Sequence, residues 1–242
     1  MKERLKRLSA AASRRSWWIY PLLLLIAFSS WSISSPPGSS PDEDFHLISA
    51  WCAWGTRDGL CMPGSTPDSR VVPSSIAHSP GCFAFSSKSA GGCPKYPGQF
   101  EESIKGNFAS YYPNGYYRVA GLFAGPDIDQ SVVLIRLLNC LVYAAGLAAL
   151  LFLSAPERRS NYMLGSLVVL VPLGMFTVAS VNPSSWAITS ATLVWASAVE
   201  FARAQDRRRR ISLAVLCAIG FAIGLSARAD AAAYAGLAIV LA

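Results

Sequence analysis

The sequence Ser40-Pro41-Asp42-Glu43-Asp44-Phe45-His46 follows the first apolar run and holds three acids and a histidine within five residues. Only 14 of the 242 residues are Asp or Glu, so this density of acids is unusual for the chain. The serine is suited to cap a helix, the proline to occupy its first position and Glu43 to close a capping box. The stretch therefore predicts a helix that runs through Trp54 and stops at Gly55.

The predicted helix separates polar from apolar side chains. At about 3.6 residues per turn, Asp42, His46 and Ser49 share one stripe. The apolar side consists of Leu47, Ile48, Trp51 and Trp54. We interpret the polar stripe as one wall of a reaction site at a membrane surface. The alternative is that the acids only offset the helix dipole, by ~0.3–1 kcal/mol each.

The composition is that of a membrane protein rather than a soluble domain. Hydrophobic residues make up 52% of the chain and charged residues 14%, and the apolar residues form long runs. A net charge of +7 is compatible with nucleic-acid binding, but the basic residues cluster between the apolar runs instead of covering one face. We therefore predict an all-α polytopic membrane protein, surrounded by a lipid bilayer and without a nucleic-acid partner.

The apolar runs predict six transmembrane helices. A basic arm at 1–15 precedes the first helix at 16–34, and a polar loop fills 35–130. Helices two to six lie at 131–153, 162–180, 183–201, 211–226 and 231–242. The last run reaches only ~18 Å against ~30 Å of hydrocarbon, so we expect the C-terminal part of the protein to be missing here. A cleaved signal peptide is the alternative for the first run, but Pro36-Pro37 follow it and it lacks an Ala-x-Ala site.

The basic residues predict the orientation. Thirteen of the 21 Lys and Arg residues lie in the arm, in the turn at 157–159 and in the turn at 203–210. These segments share one side when the spans alternate, and positive charge marks the cytoplasmic side. We therefore expect a multi-pass protein of the cytoplasmic membrane, with its N-terminus in the cytoplasm and the 35–130 loop outside.

Four of the six cysteines lie in this loop, at Cys52, Cys61, Cys82 and Cys93. An even set within one loop favours two disulfides formed in an oxidising compartment. We expect the pairs Cys52–Cys61 and Cys82–Cys93, because these close short loops and each adds ~2–3 kcal/mol. A zinc site is the alternative, although the chain has no Cys-x-x-Cys pair.

Four tyrosines beside Arg118 end the loop, at Tyr111, Tyr112, Tyr116 and Tyr117. Aromatic residues of this kind form belts at a bilayer surface or lie on an interfacial helix. The alternative is that they stack on a sugar or wrap a lipid-linked substrate.

Three further features are predicted at the outer face. Asn182-Pro183-Ser184-Ser185-Trp186 is either a plain helix start or part of a site. Arg228 with Asp230 is either an ion pair at a helix end or a phosphate-binding guanidinium. Arg136, within the second span, either snorkels or faces a polar cavity. Such a face suits transfer from a lipid-phosphate donor, with arginines on the phosphate and a carboxylate as base or metal ligand.

The chain also carries four short motifs in one order. They are Ser-x-Pro-Asp-Glu-x-x-His at 39–46, Tyr-Tyr-Pro-x-x-Tyr-Tyr at 111–117, Leu-x-Arg-Leu-Leu at 134–138 and Val-Asn-Pro-Ser-Ser at 181–185. Together these motifs resemble a bacterial membrane family catalogued as domain of unknown function 2142. That family is similar to the GT-C glycosyltransferases, polytopic enzymes that use polyprenyl-phosphate-linked sugars. The resemblance implies a GT-C-like N-terminal half with a large extracytoplasmic first loop.

The resemblance also implies roles for the acids. Asp42 and Glu43 match the acidic motif that serves as base or metal ligand in such enzymes, so both are expected to be catalytic. Asp44 and His46 would join them as ligands of a divalent metal, Mg²⁺ or Mn²⁺.

The expected function is transfer of a sugar from a polyprenyl-phosphate donor to a glycan or protein acceptor of the envelope, at the outer face of the cytoplasmic membrane. Arg228 and Arg136 would contact the donor phosphate. One alternative is a lipid-linked sugar carrier or flippase, which predicts broken or charged helices at mid-bilayer. Another is a non-catalytic envelope scaffold.

Overall fold

The computed structural model describes residues 16–79, 81–92 and 97–242, so the basic arm predicted at 1–15 lies outside the described residues. Within these ranges the chain is mostly helical. The helices are α1 (Ile19–Ser34), α2 (Glu43–Trp51), α3 (Ser74–Ala77), α4 (Asn114–Ala120), α5 (Ile128–Leu153), α6 (Arg159–Val169), α7 (Pro172–Val178), α8 (Ser184–Arg203), α9 (Arg207–Ala227) and α10 (Ala229–Leu241). The start of α5 precedes the predicted position 131, because Asp127 caps it by accepting the Gln130 N–H.

The loop before α5 contains a small β-sheet that the all-α prediction missed. Its strands are β1 (Met62–Pro63), β2 (Arg70–Pro73) and β3 (Phe100–Ser103), paired antiparallel in the order β1-β2-β3. The β-branched Val72 of the central strand is fully buried, which is the setting that favours such residues in strands. The all-α prediction is therefore wrong for the loop.

Two of the described helices, α5 and α9, are long and apolar enough to cross a membrane. Helices α6 and α7 meet at a 90° bend and make a third candidate only if they count as one span. The prediction of one continuous helix at 162–180 is wrong, because Pro172 lacks an N–H and holds Val171 outside the helical region. Helices α1 and α10 are apolar but shorter.

Helix α8 packs against α5, α7, α9 and α10 and so lies at the centre of the helical bundle. Its Leu193 fits between two glycines, Gly146 of α5 and Gly220 of α9. A Cβ at Gly220 would lie 2.8 Å from the Leu193 Cβ, so a glycine is needed for this approach. Close contact of this kind is the main source of helix association in lipid, where burial of apolar surface gives little.

One apolar core joins the loop to one end of the bundle. It contains Leu47, Ile48, Trp51, Tyr116 and Tyr117 from the loop and Val132, Ile135, Val181 and Trp186 from the bundle. We call this the loop end; it holds the start of α5 and the α7–α8 and α9–α10 turns. At the opposite end, which we call the basic end, Arg158 and Arg209 bind the buried carboxylate of Glu200.

The predicted disulfide between Cys52 and Cys61 is confirmed, with Cα atoms 5.3 Å apart. It ties the end of α2 to the segment that leads into β1, so the zinc alternative is wrong for these two thiols. Cys82 is also disulfide-bonded. Its predicted partner, Cys93, lies outside the described residues.

The tyrosines do not form the predicted aromatic belt. Tyr116 and Tyr117 are each 1% exposed, whereas Tyr111 is 77% exposed. Helix α4 therefore packs into the molecule instead of lying along a surface. Trp54, predicted on the apolar side of the acidic helix, is exposed, and its Nε1 donates to the carbonyl oxygen of Arg118 at 2.9 Å.

Gly220→Ala should lower the free energy of unfolding by about 1–3 kcal/mol, because the new Cβ meets the Cβ of Leu193 at 2.8 Å and the backbone nitrogen of Val194 at 3.3 Å. Gly236→Ala in α10 is the control, since its Cβ would meet nothing within 4 Å. Thermal unfolding of both purified variants in one detergent measures the difference. Equal midpoints would contradict the close α8–α9 contact.

Candidate functional site

The start of α2 differs from the prediction. The helix begins at Glu43 and ends at Trp51, and the predicted capping box does not form. Asp42 precedes the helix with a φ of 57°, a left-handed conformation that Asp tolerates better than most residues. This turn directs Glu43 into the protein and leaves Asp42 exposed.

The Glu43 carboxylate is fully buried and accepts four hydrogen bonds. Arg136 of α5 donates two of them, from Nε to Oε1 at 3.0 Å and from Nη2 to Oε2 at 2.6 Å. The backbone N–H groups of Gly38 and Val181 donate the others, at 2.9 and 2.8 Å. Glu43 was predicted to be catalytic; in the structure its two carboxylate oxygens are occupied by these four donors.

The guanidinium of Arg136 is equally committed. Besides Glu43, it binds the carbonyl oxygens of Ser32, Ser35 and Pro36 at 3.1, 2.6 and 2.9 Å. These contacts engage all five N–H groups that an arginine offers. Arg136 therefore binds protein oxygens, whereas the prediction placed it on the donor phosphate. These bonds connect the end of α1 to α2 and α5.

Asp44 and His46, two further members of the predicted metal set, bind different partners. Asp44 forms an ion pair with Lys105 at 2.8 Å. His46 is buried, and its Nδ1 lies 2.8 Å from the Tyr117 hydroxyl. In the parts of the chain that the structure describes, no group of three or more His, Cys, Asp or Glu side chains is placed to hold a metal. The Mg²⁺ or Mn²⁺ ligand set predicted from Asp42, Glu43, Asp44 and His46 is therefore not assembled, because Glu43 turns inward.

His46 is held in its neutral form. Burial is the largest cause, the positive charge of Arg228 adds to it and Asp44 opposes it, and together they lower the His46 pKa to about 4. The ring packs edge-on against Phe45 and Tyr112. A neutral imidazole beside an arginine leaves that arginine as the local positive charge.

The α7–α8 turn connects this region to the bundle. The Asn182 side-chain oxygen accepts the Ser184 N–H at 2.8 Å, although Pro183, not Asn182, is the cap residue of α8. Its Nδ2 donates to the Pro41 carbonyl oxygen at 3.1 Å. The segment before α8 therefore also contacts Pro41, the residue before Asp42.

Arg228 completes the cluster at the loop end. Its Nε and Nη2 donate to the two carboxylate oxygens of Asp230, both at 2.9 Å, and its Nη1 donates to the Ser184 hydroxyl at 3.2 Å. Its guanidinium carbon lies 5.5 Å from the centre of the Tyr112 ring. The ion pair that the sequence suggested is present, and the arginine remains partly exposed, at 32%.

Arg228 also lines a cavity of about 780 Å³ that runs along the bundle between α6, α8 and α10. Alanine, glycine and other apolar side chains form most of its wall. The lining includes Gly165, Val169, Ala187, Ile188, Ala191, Trp195, Ala231, Tyr234 and Ala238, with Ser184, Arg228 and Asp230 at the loop end. We call it the apolar groove.

The sequence carried one signal for this groove that the site prediction did not use. Small residues recur at helical spacing, four apart at Ala187 and Ala191 and seven apart at Ala231 and Ala238. In a membrane helix such spacing also marks contact between helices, so the pattern alone does not distinguish a groove from a packed interface.

A family model described as a predicted membrane protein, DUF2142, matches residues 22–242. The chain belongs to this family. A search of curated proteins and a search of solved structures each found no match. Membership in DUF2142 confirms the resemblance drawn from the four short motifs, all of which lie within the matched range. It also agrees with the spanning helices of this DUF2142 protein.

Glu43→Gln should destabilise the DUF2142 protein by about 3–5 kcal/mol, because it leaves the buried Arg136 charge without its counter-ion. Asp42→Asn, one residue away, should change stability by less than about 0.5 kcal/mol, since Asp42 is exposed. Chemical unfolding of both variants measures the contrast. Similar losses for the two would contradict the inward placement of Glu43.

Protein stability should fall by roughly 3 kcal/mol as the pH drops from 6.5 towards 4, because the unfolded chain protonates His46 while the native state resists it. This contribution is complete above pH 6.5, where both states are neutral at this residue. His46→Gln should remove it, as seen in unfolding curves across this pH range. His78→Gln is the control, because His78 is an exposed histidine. A His46→Gln profile parallel to that of the wild type would argue against a buried neutral imidazole.

Proposed function

We propose that this DUF2142 protein is a membrane glycosyltransferase that moves a sugar from a polyprenyl-phosphate donor to a glycan or protein acceptor of the cell envelope. One observation carries the proposal: a partly exposed arginine lines an apolar groove, within a few contacts of an exposed carboxylate. The contacts run from Arg228 to Ser184, from Ser184 to Asn182 and from Asn182 to Pro41, next to Asp42.

The groove suits the lipid part of such a donor. Its wall follows α8 from Ser184 to Ala196, a length of ~18 Å at the rise of an α-helix. Alanine and glycine leave room for a branched hydrocarbon chain, and the aromatic rings of Trp195 and Tyr234 bound it. A chain in this groove would place its phosphate at Arg228, where a guanidinium can bind two phosphate oxygens.

Asp42 is the residue that we assign as the base. In the proposed reaction it takes the proton from an acceptor hydroxyl while the acceptor oxygen forms a bond to the anomeric carbon from the side opposite the phosphate. The bond between that carbon and the phosphate oxygen breaks, and the polyprenyl phosphate leaves with its charge stabilised by Arg228. Glu43 and Arg136 hold the base in position and take no part in the proton transfer. The described residues do not fit a bound metal, so no step uses one.

Two features support a location at the outer face of the bacterial cytoplasmic membrane, with the N-terminus in the cytoplasm. The disulfide between Cys52 and Cys61 lies in the loop, and such bonds persist in oxidising compartments. The arginines of the α5–α6 and α8–α9 turns lie at the basic end, as expected for the cytoplasmic side.

Asp42→Asn should lower transfer by about 10²–10⁴-fold while the protein inserts and unfolds like the wild type. The measurement is incorporation of label from a polyprenyl-phosphate sugar pool into envelope glycans or proteins, in membranes with equal amounts of each variant. Asp58→Asn is the matched control, an exposed acid in the same loop. Full transfer by Asp42→Asn would overturn the proposal. If Asp42→Asn is tolerated and Cys52→Ser loses function, the protein would instead be a non-catalytic envelope scaffold.

A lipid-linked sugar carrier is the second candidate, because α6 and α7 break at a 90° bend. Discontinuous helices are typical of carrier sites, where they expose backbone groups to a substrate. Reconstituted protein that moves a labelled lipid-linked sugar across vesicles, with no change in Asp42→Asn, would favour the carrier. If the protein is a transferase, movement of the labelled lipid-linked sugar across the vesicle membrane should not depend on it.

A further inference from the structure

We propose that Asp230 is a resident anion that occupies the phosphate site of Arg228 and is displaced when an anionic lipid enters the apolar groove. The inference rests on the proposed function, which places the donor phosphate at this arginine. It adds a residue that lowers the affinity of the site for charged lipids and leaves its affinity for neutral lipids unchanged.

The geometry of the pair is the first argument. Both carboxylate oxygens of Asp230 bind the guanidinium, at Nε and at Nη2, each at 2.9 Å. This planar two-point contact is the one that a phosphate makes with arginine. Both side chains line the loop end of the groove, so an anionic headgroup there would compete for the same N–H groups.

The arginine keeps its position without Asp230. Its Nη1 donates to the Ser184 hydroxyl at 3.2 Å, and its guanidinium carbon lies 5.5 Å from the centre of the Tyr112 ring. These contacts come from α8 and from the loop, on elements other than α10. The site is therefore preorganised for a second anion once the carboxylate leaves.

Asp230 is also able to leave. Its side chain is 53% exposed, so water can solvate the released carboxylate. It lies in the first turn of α10, and its Oδ1 accepts the Ala231 N–H at 2.9 Å. A carboxylate at a helix N-terminus is stabilised by the helix dipole, so the displaced side chain retains a favourable partner.

The exchange has a consequence for selectivity. A neutral lipid in the groove has no group that can replace the carboxylate, so the ion pair stays closed. An anionic lipid forms a contact with Arg228 but must first break the Arg228–Asp230 ion pair. Its affinity is therefore reduced by the free energy of that ion pair. The ion pair thus lowers the affinity of the groove for anionic lipids and leaves its affinity for neutral lipids unchanged.

The test measures binding of farnesyl phosphate, and of uncharged farnesol, to the full chain in detergent by calorimetry. Asp230→Asn should bind farnesyl phosphate about fivefold more tightly than the wild type, since an exposed ion pair no longer competes. The asparagine oxygen can still accept the Ala231 N–H. Asp206→Asn is the matched control, because Asp206 caps α9 through the Arg209 N–H at 2.7 Å and lies at the basic end. Farnesol should bind all variants alike.

The outcomes separate this inference from the function on which it rests. If Arg228→Met binds farnesyl phosphate weakly, the phosphate site stands. If Asp230→Asn then binds it no more tightly than the wild type, the role of Asp230 is overturned. A gain for Asp230→Asn that also appears with farnesol would overturn it as well, because the effect would not depend on charge. Binding of farnesyl phosphate by Arg228→Met at wild-type strength would remove the phosphate site itself.

Discussion

A buried charge determines how the loop sits on the helical bundle. Glu43 and Arg136 are 0% and 1% exposed, and a charge so far from water is tolerated only with a partner and a full set of hydrogen bonds. The donors to Glu43 come from three separate places in the chain, at Gly38, Arg136 and Val181, and Arg136 in turn donates to carbonyl oxygens at the end of α1. Moving the loop relative to the bundle would break several of these bonds at once.

The position of the candidate site follows from that constraint. With Glu43 turned inward, the preceding Asp42 must lie at the surface, and the α7–α8 turn is held beside it through Val181 and Asn182. The same turn carries Ser184, which contacts Arg228. The buried pair thus helps to hold the turn that links the residue before Asp42 to Arg228 through Asn182 and Ser184.

The groove lies beside a different feature, the break between α6 and α7. Helix α6 lines the groove as far as Val169, and the chain then bends by 90° at Pro172. Helices α8 and α10 form most of the remaining wall. The residues that face the groove on those two helices are mostly small, so the space between the three helices stays open.

The sequence by itself determined the helical membrane class, the pairing of Cys52 with Cys61 and the family, because these depend on apolar run length, short loop closure and ordered motifs. It also singled out the residues of the candidate site along the chain. It could not assign Asp42 and Glu43 to different roles, since a serine, a proline and a glutamate in this spacing serve a capping box equally well. The tertiary structure made that choice, because Arg136 lies 93 residues away and only folding brings it to Glu43. Asp42 stands just before the helix in a left-handed conformation, so it stays at the surface when Glu43 turns inward.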